Sequence, residues 1–204
     1  MTGTCGMKKI LAINGSYREG GVTDQILDHF EYAANTFDMQ IETAVLRNLH
    51  IEFCTNCRRC TQEAGRKPGT CIHEDEMNTL IQKIENADFY VFASPTNMYS
   101  STALFRRFLE RLVVYGYWPW SKNAPEFRKE GDARKKAILV SSCAAPGFMG
   151  RYFSDTLKSL KSAAKLVGAD SVGTLFVGLV GKERSPRLSD KNIREIKSLA
   201  MKLI

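Results

Sequence analysis

Residues 8–25, KKILAINGSYREGGVTDQ, have the pattern of a buried strand followed by a turn and a helix. The stretch 8–15 is a short apolar run that ends in Gly, as expected for a strand of a parallel sheet covered on both faces. The next residues are rich in Gly, and from Val22 to Ala34 apolar residues recur at helical spacing. This segment therefore predicts a β-strand, a small-residue turn and an amphipathic helix.

The same alternation continues along the chain. Four further apolar runs predict strands at 40–46, 89–95, 137–143 and 171–178. Apolar residues at helical spacing predict further helices at 77–87, 104–112, 157–167 and 193–203. Five strand–helix units in succession imply an α/β protein in which helices cover both faces of a parallel sheet.

Length and composition suit one globular domain. The chain has 204 residues, of which 44% are hydrophobic and 25% charged. We expect a single domain over 1–204, with a flexible tail at 1–7 and a long irregular insertion at 115–136. The insertion begins with the aromatic stretch YGYWPW. It is interpreted either as a surface loop packed by its own aromatics or as a lid or dimer contact.

The charge and hydropathy of the sequence limit the expected location of the protein and its binding partners. No apolar run is long enough to cross a bilayer, and the N-terminus lacks the apolar centre of a signal peptide, so we expect a cytoplasmic protein without a membrane partner. The net charge is +7, but the basic residues are scattered. This pattern does not indicate nucleic-acid binding and suits phosphate-bearing cofactors equally well.

The turn after the first strand has the chemistry of a phosphate site. In a doubly wound sheet, ligands bind beyond the carboxyl ends of the strands where the strand order reverses. This turn offers the hydroxyls of Ser16 and Thr23, the cation of Arg18 and a following helix N-terminus. It is neither a P-loop nor the GxGxxG fingerprint, and an ordinary Gly-rich turn is the alternative interpretation.

Two further loops end at the same edge of the predicted sheet. Pro95 is expected to end the third strand and to expose Thr96, Asn97 and Met98. The fourth strand is followed by the small-residue loop 142–150, which would let a flat ring approach the backbone.

Cysteines are concentrated between the second strand and the next helix. Four of them form a CxxCxxC…C pattern: Cys54, Cys57, Cys60 and Cys71. Thiolates at this spacing converge as an iron–sulfur cluster requires, whereas zinc or free redox-active thiols are the alternatives. Cys5 is interpreted as a tail residue and Cys143 as a small hydrophobe.

The sequence resembles a known family in several stretches taken together. These are ILAINGSYREGGVT, the cysteine-rich segment leading to HEDEMNTLIQKIENADFYVFASPTNMYSSTALFRRFLER, and the small loop after the fourth strand. They are similar to the flavodoxin-like NAD(P)H-dependent FMN reductase family, and to its iron–sulfur flavoprotein branch in particular. The resemblance implies a flavodoxin-like, doubly wound, five-stranded parallel sheet of order 2-1-3-4-5, with FMN at the switch point.

The resemblance also implies a set of cofactor-binding residues. The flavin phosphate would be bound by Ser16, Arg18, Val22 and Thr23. The isoalloxazine ring would be lined by Pro95, Thr96, Asn97 and Met98. The pyrimidine side of the ring would be approached by Ser142, Ala144 and Gly147. The family usually has Asn where Val22 stands and an aromatic residue where Asn97 stands.

The function implied is that of an FMN-dependent oxidoreductase. It would take electrons from NAD(P)H as co-substrate and pass them to a small-molecule acceptor or a redox protein, with a 4Fe–4S cluster on the four cysteines. No catalytic side chain is required, and His29, His50 and His73 are interpreted as surface or packing residues. Relatives suggest a homodimer or homotetramer. The alternatives are a flavodoxin-like electron carrier without NAD(P)H activity and a zinc-stabilised nucleic-acid-binding module.

Overall fold

The computed structural model of the chain describes residues 7–132, 134–183 and 185–204. Cys5 and the expected tail at 1–7, apart from Met7, lie outside the described residues. Across these ranges, no helix combines the length and the apolar character needed to cross a membrane.

Strands and helices alternate along most of the chain. The strands are β1 (Lys8–Asn14), β2 (Met39–Val45), β3 (Phe89–Asn97), β4 (Ser100–Ser101), β5 (Gly116–Tyr117), β6 (Glu126–Phe127), β7 (Lys135–Ser142) and β8 (Ala169–Val177). The helices are α1 (Val22–Asn35), α2 (Glu76–Asn86), α3 (Ala103–Arg111), α4 (Gly147–Phe153), α5 (Thr156–Leu166) and α6 (Asp190–Met201).

Five parallel strands form the central sheet in the order β2-β1-β3-β7-β8. Counted as the five parallel strands, this is the predicted order 2-1-3-4-5, which is therefore confirmed. The order reverses between β1 and β3, so the chain leaves these two strands toward opposite faces and opens a crevice at their carboxyl ends.

Alternate residues of the central strands pack against opposite helical layers. Ile10 of β1 belongs to the core under α1 and α6, whereas Leu11 belongs to the core under α2, α3 and α5. Val91 and Phe92 of β3 divide in the same way. Both faces of the sheet are apolar for this reason, and the strands read as continuous hydrophobic runs.

The expectation that Pro95 ends the third strand was wrong. β3 continues to Asn97, pairing with β7 at Pro95–Ser142 and then turning back into β4. The ladder between β1 and β3 already ends at Asn14–Ala93. A proline without an N–H group is tolerated because no β1 residue lies beside it.

The segment 115–136 is less irregular than expected. It contains the β5–β6 hairpin, and β7 already begins at Lys135. The short helix α4 is a further element that the sequence pattern did not predict, because its residues GFMGRYF show no helical alternation of apolar and polar residues.

Candidate functional site

The loops after β1, β3 and β7 line one cleft at the carboxyl edge of the sheet. Its volume is about 340 Å³, within the range of small-molecule sites. Nine of the eleven predicted cofactor residues line it: Ser16, Arg18, Val22, Thr23, Pro95, Thr96, Asn97, Ser142 and Ala144. Segments separated by more than a hundred residues therefore meet at the point where the strand order reverses.

Two predicted residues, Met98 and Gly147, lie outside the lining of this cleft. Met98 is 91% exposed, and both it and Tyr99 have left-handed backbone angles, with φ of 46° and 65°. They form the tight turn between β3 and β4, and this turn carries the Met98 side chain into solvent. Gly147 begins α4, next to Gly178.

Other lining residues were not among the predicted ones. They are Tyr17, Gly21, Cys143, Val180, Gly181, Glu183 and Pro186. Those at 180–186 follow β8, whose carboxyl end lies at the same sheet edge. The rule that ligands bind at this edge could have included this loop.

The turn after β1 has donors suited to a phosphate group. Gly21 precedes α1, and no side chain in the described ranges caps this helix. The first N–H groups of a helix have no partner within it, and its dipole favours an anion. Ser16 Oγ accepts a hydrogen bond from the Arg18 N–H at 3.1 Å. A Cβ added at Gly21 would lie only 3.2 Å from the Arg18 side chain, so the glycine keeps the turn open.

The opposite wall of the cleft is built from small residues held by backbone hydrogen bonds. Val180 N–H donates to the Cys143 carbonyl at 3.2 Å, and Leu179 N–H donates to the Ala145 carbonyl at 2.9 Å. A Cβ added at Gly181 would lie 2.7 Å from the Ala144 Cβ. The two loops can approach each other this closely because Gly181 and Ala144 are small.

Thr96 shapes the cleft through its hydroxyl. The Thr96 Oγ1 lies 2.9 Å from Thr156 Oγ1 and 3.3 Å from Ser141 Oγ. Because the hydroxyl is engaged by α5 and β7, the segment 95–97 is held in place on the sheet edge.

The cysteine segment forms a second candidate site, between β2 and α2. Cys60 is buried, Cys54 and Cys71 are half-buried, and Cys57 is exposed. Asn56 and Arg58 have left-handed backbone angles, with φ of 54° and 59°. Backbone turns of this kind direct N–H groups into a concavity and are used at iron–sulfur and phosphate sites.

The thiols of the segment share one electrostatic environment. The pKa of the Cys60 thiol is raised to about 11, chiefly by burial and also by the charges of the neighbouring Cys71, Cys54 and Cys57. Within the described ranges, no three His, Cys, Asp or Glu side chains form a group that could hold a metal ion. In a 4Fe–4S cluster each thiolate binds a different iron, so a set of four thiols fits that cluster by its chemistry without converging on one ion.

The insertion holds the cysteine segment in place. The Arg58 guanidinium lies between the rings of Trp118 and Trp120, 3.8 and 4.3 Å from their centroids, and donates to the Trp118 carbonyl at 2.6 Å. The Thr61 carbonyl accepts a hydrogen bond from the Trp118 N–H at 2.8 Å. We call Arg58, Trp118 and Trp120 the tryptophan clamp. Within the described residues, the insertion therefore packs against the cysteine segment.

A second arginine ties the insertion to Cys60. Arg128 is 6% exposed, and its guanidinium donates to the carbonyls of Cys60 at 3.1 Å, Gly65 at 3.0 Å and Val114 at 3.0 Å. A buried cation with three carbonyl acceptors fixes the backbone at Cys60 and at Gly65 against Val114.

A third arginine, Arg111 of α3, contacts residues on either side of the cysteine segment. Arg111 and Asp75 form an ion pair in which each side chain is 1% exposed. The Arg111 guanidinium also donates to the Glu52 carbonyl at 2.9 Å, and Asp75 caps α2 through the Met77 N–H. The beginning and end of the cysteine segment are thereby joined to one buried charge pair.

The histidines are not part of the cleft. Within the described residues, none of His29, His50 and His73 lines it. His50 is paired with Glu52 on the surface at 3.0 Å.

The comparisons with known proteins agree with this geometry. A family model described as a flavodoxin-like fold matches residues 8–199. An iron–sulfur flavoprotein of Archaeoglobus fulgidus is 28% identical over 151 residues, which cover 74% of this chain and 63% of that protein. Across three iron–sulfur flavoproteins, the chain spans 44% to 63% of the relatives' length.

Solved structures share the fold at low sequence identity. An NAD(P)H:quinone oxidoreductase from Methanothermobacter marburgensis superposes with a TM-score of 0.68 at 17% identity, covering 95% of this chain and 98% of that one. An FMN-dependent NADH-azoreductase from Bacillus anthracis in complex with FMN gives 0.67 at 14% identity, covering 96% and 99%.

Proposed function

Because the chain belongs to the flavodoxin-like fold family, we propose that it is an FMN-dependent oxidoreductase that takes electrons from NAD(P)H. The electrons pass to a small-molecule acceptor or to a redox protein. The observation that carries this proposal is the single cleft that nine of the eleven expected cofactor residues line at the switch point of the sheet.

The residues of the cleft divide the work of binding the cofactor. Ser16, Arg18, Thr23 and the first N–H groups of α1 would hold the phosphate. The segments at 95–97 and 142–144 orient the ring, and their small residues let it lie against the backbone. When bound, FMN supplies a hydride acceptor and a one-electron donor in one group.

The cysteine segment is proposed to hold a 4Fe–4S cluster. Cys54, Cys57, Cys60 and Cys71 are the ligands, and the cluster supplies one-electron transfer. Support comes from the donor set, from the left-handed turns at Asn56 and Arg58, and from the names of the iron–sulfur flavoprotein relatives.

The setting of the reaction is part of the same proposal. We propose a cytoplasmic homodimer or homotetramer, with no nucleic-acid or membrane partner. The scattered basic residues and the net charge of +7 suit the anionic cofactors FMN and NAD(P)H.

The test is to purify the protein without oxygen, quantify flavin and iron, and add NADPH or NADH. We expect FMN equimolar with the chain, and iron and sulfide in the ratio of a 4Fe–4S cluster. One of the two nucleotides should bleach the flavin band. Bound FMN that neither nucleotide bleaches would instead indicate an electron carrier. Colourless protein that contains zinc and binds nucleic acid in a salt-dependent manner would overturn the proposal.

Two variants test the two proposed cofactor sites independently. Cys57→Ser should remove iron and sulfide and leave FMN bound, because Cys57 lies outside the cleft lining. Thr23→Val should weaken FMN binding and leave the iron content unchanged. Unchanged iron in Cys57→Ser would contradict the cluster assignment.

A further inference from the structure

A charge pair lies beneath the turn that follows β1. Asp24, in the first turn of α1, accepts hydrogen bonds from Arg47 through both carboxylate oxygens, at 3.2 and 2.9 Å. Its Oδ1 also accepts from Asn14 Nδ2 at 2.6 Å, and its Oδ2 from the Gly20 N–H at 2.8 Å. The Asp24 carboxylate is thus surrounded by four donors, two of them on one cation.

The pair supports the turn at both ends. Asn14 Oδ1 accepts a hydrogen bond from the Ser16 N–H at 2.9 Å, and Arg47 donates to the Ser16 carbonyl at 3.3 Å. The Gly20 N–H is bonded to Asp24 itself. Residues 16 and 20 therefore take their positions from Asp24 and Arg47, although neither of these two residues lines the cleft.

Charge gives the pair a second effect. Asp24 immediately follows Thr23 at the helix N-terminus, where an anionic phosphate would lie. A lone carboxylate at this position would repel the phosphate, because like charges a few ångströms apart disfavour each other. The side chains of Arg47 and Asp24 are only 17% and 15% exposed, so solvent screens their charges weakly. Arg47 cancels the carboxylate charge and leaves the cation of Arg18 and the helix dipole to act on the ligand.

We infer that Asp24 and Arg47 are positioning residues that make the cleft select a phosphorylated flavin over the same flavin without phosphate. The pair holds the turn in its donor-presenting form and leaves no uncompensated carboxylate at Asp24 to oppose the phosphate. This inference rests on the proposed FMN site and identifies what determines specificity there.

The experiment compares dissociation constants of FMN and riboflavin for flavin-free full-length protein by quenching of flavin fluorescence. Arg47→Met should weaken FMN binding about tenfold or more and riboflavin binding less than about threefold, because only FMN meets the uncompensated carboxylate. Asp24→Asn/Arg47→Met, which carries no charge at either position, should recover the part of the FMN preference that Arg47→Met loses through the uncompensated carboxylate, but not the part that depends on support of the turn. Lys83→Met, which breaks the exposed pair with Glu42, is the matched control and should leave both constants unchanged.

Arg47→Lys keeps the charge without the two-pronged contact and should retain most of the preference, which gives a second measurement if Arg47→Met does not fold. Equal losses for FMN and riboflavin in Arg47→Met, or no loss for FMN, would overturn the inference while leaving the proposed function intact. A wild-type protein that binds neither flavin would overturn the proposed function itself, and the inference with it.

Discussion

Individual buried charges decide much of the local order around the cysteine segment. Among the described residues, Arg111 is the largest fully buried side chain, and it forms an ion pair with Asp75. Removing one member of such a pair leaves an uncompensated charge in the interior, which costs about 3–5 kcal/mol. The two residues therefore stabilise the fold only as a pair. Their contribution to the free energy of unfolding depends on pH through the Asp75 carboxyl.

The pH dependence of stability follows from Asp75. Burial alone would raise the pKa of this carboxyl, but the hydrogen bonds from Arg111 and from the Glu52 N–H, with the Arg111 charge, hold the pKa below its ordinary value of 3.8. Because the folded-state pKa is the lower one, the pair contributes fully above about pH 4, and the contribution is lost as the pH falls through the folded-state pKa. Urea unfolding from pH 7 down to pH 2 should show a steeper acid loss for wild type than for Asp75→Asn. Parallel curves would contradict this.

Gly150 is a residue at which the absence of a side chain matters. A Cβ added there would lie 2.4 Å from Cys143 Sγ and 2.8 Å from the Phe176 ring, whereas a Cβ at Gly147 of the same helix meets no atom closer than 3.5 Å. Gly150→Ala should destabilise the protein by about 1–3 kcal/mol because the core must shift. Gly147→Ala should stay within about 0.5 kcal/mol of wild type. Urea unfolding of both variants is the check, and equal values for the two would refute the packing argument.

At the residue scale, local sequence patterns predicted individual site residues but not the ion pairs between residues that lie far apart in the chain. Ser16, Arg18 and Thr23 were predicted because glycines and hydroxyls follow a strand there. Arg47 was not, because its partner Asp24 lies 23 residues away and no local pattern joins them.

At the scale of elements, the insertion acts on the cysteine segment through defined contacts. Arg128 binds the Cys60 carbonyl, and the tryptophan clamp binds the neighbouring turn. The guanidinium groups of Arg58 and Arg128 contact aromatic rings and carbonyl groups that lie elsewhere in the chain. The order of the cysteine segment therefore depends on the insertion.

Cys60 should become reactive when this support is removed. In reduced, cluster-free protein, Arg128→Met removes the guanidinium that donates to the carbonyls of Cys60 and Gly65 and ties them to Val114. The alkylation rate of Cys60, measured by peptide mass spectrometry, should rise on the order of tenfold through local opening. Arg134→Met removes an arginine that pairs with Asp170, away from the cysteine segment, and serves as control. An unchanged rate in Arg128→Met would show that the insertion is not the support.

Element types were predictable where apolar periodicity was strong, and the parallel strands and most helices were found. The β5–β6 hairpin and α4 were not, since β5 and β6 are two residues long and α4 is apolar or aromatic along most of its length. The continuation of β3 past Pro95 depended on where β1 stops, which is a property of the sheet and not of the local sequence.

For the whole molecule, net charge bears on how ligands arrive. The chain carries +7, and the proposed ligands FMN and NAD(P)H are anions. Raising the ionic strength from roughly 0.01 to 0.15 M shortens the screening length from about 30 to about 8 Å. The association rate of FMN, followed by stopped-flow quenching, should fall several-fold, while that of uncharged riboflavin should barely change. Equal salt dependence for the two flavins would exclude electrostatic steering.

The strand order was the part of the whole molecule that followed most directly from the sequence. Five strand–helix units restrict the chain to few topologies, and the family resemblance selects one of them. The connection between the turn after β1 and the cysteine segment could not be predicted in this way, because it runs through α3. Thr102, which caps α3, donates to the Gly15 carbonyl, and Arg111, the last residue of α3, pairs with Asp75.

The tryptophan clamp has an evolutionary consequence. A homologue that deletes the hairpin loses, in one event, the rings around Arg58 and the Trp118 carbonyl to which Thr61 and Gln62 donate. The arginine would then be left without its stacking partners, and selection on the cysteine spacing would relax. Hairpin, arginine and thiols should therefore be gained and lost together across descendants of one ancestral gene.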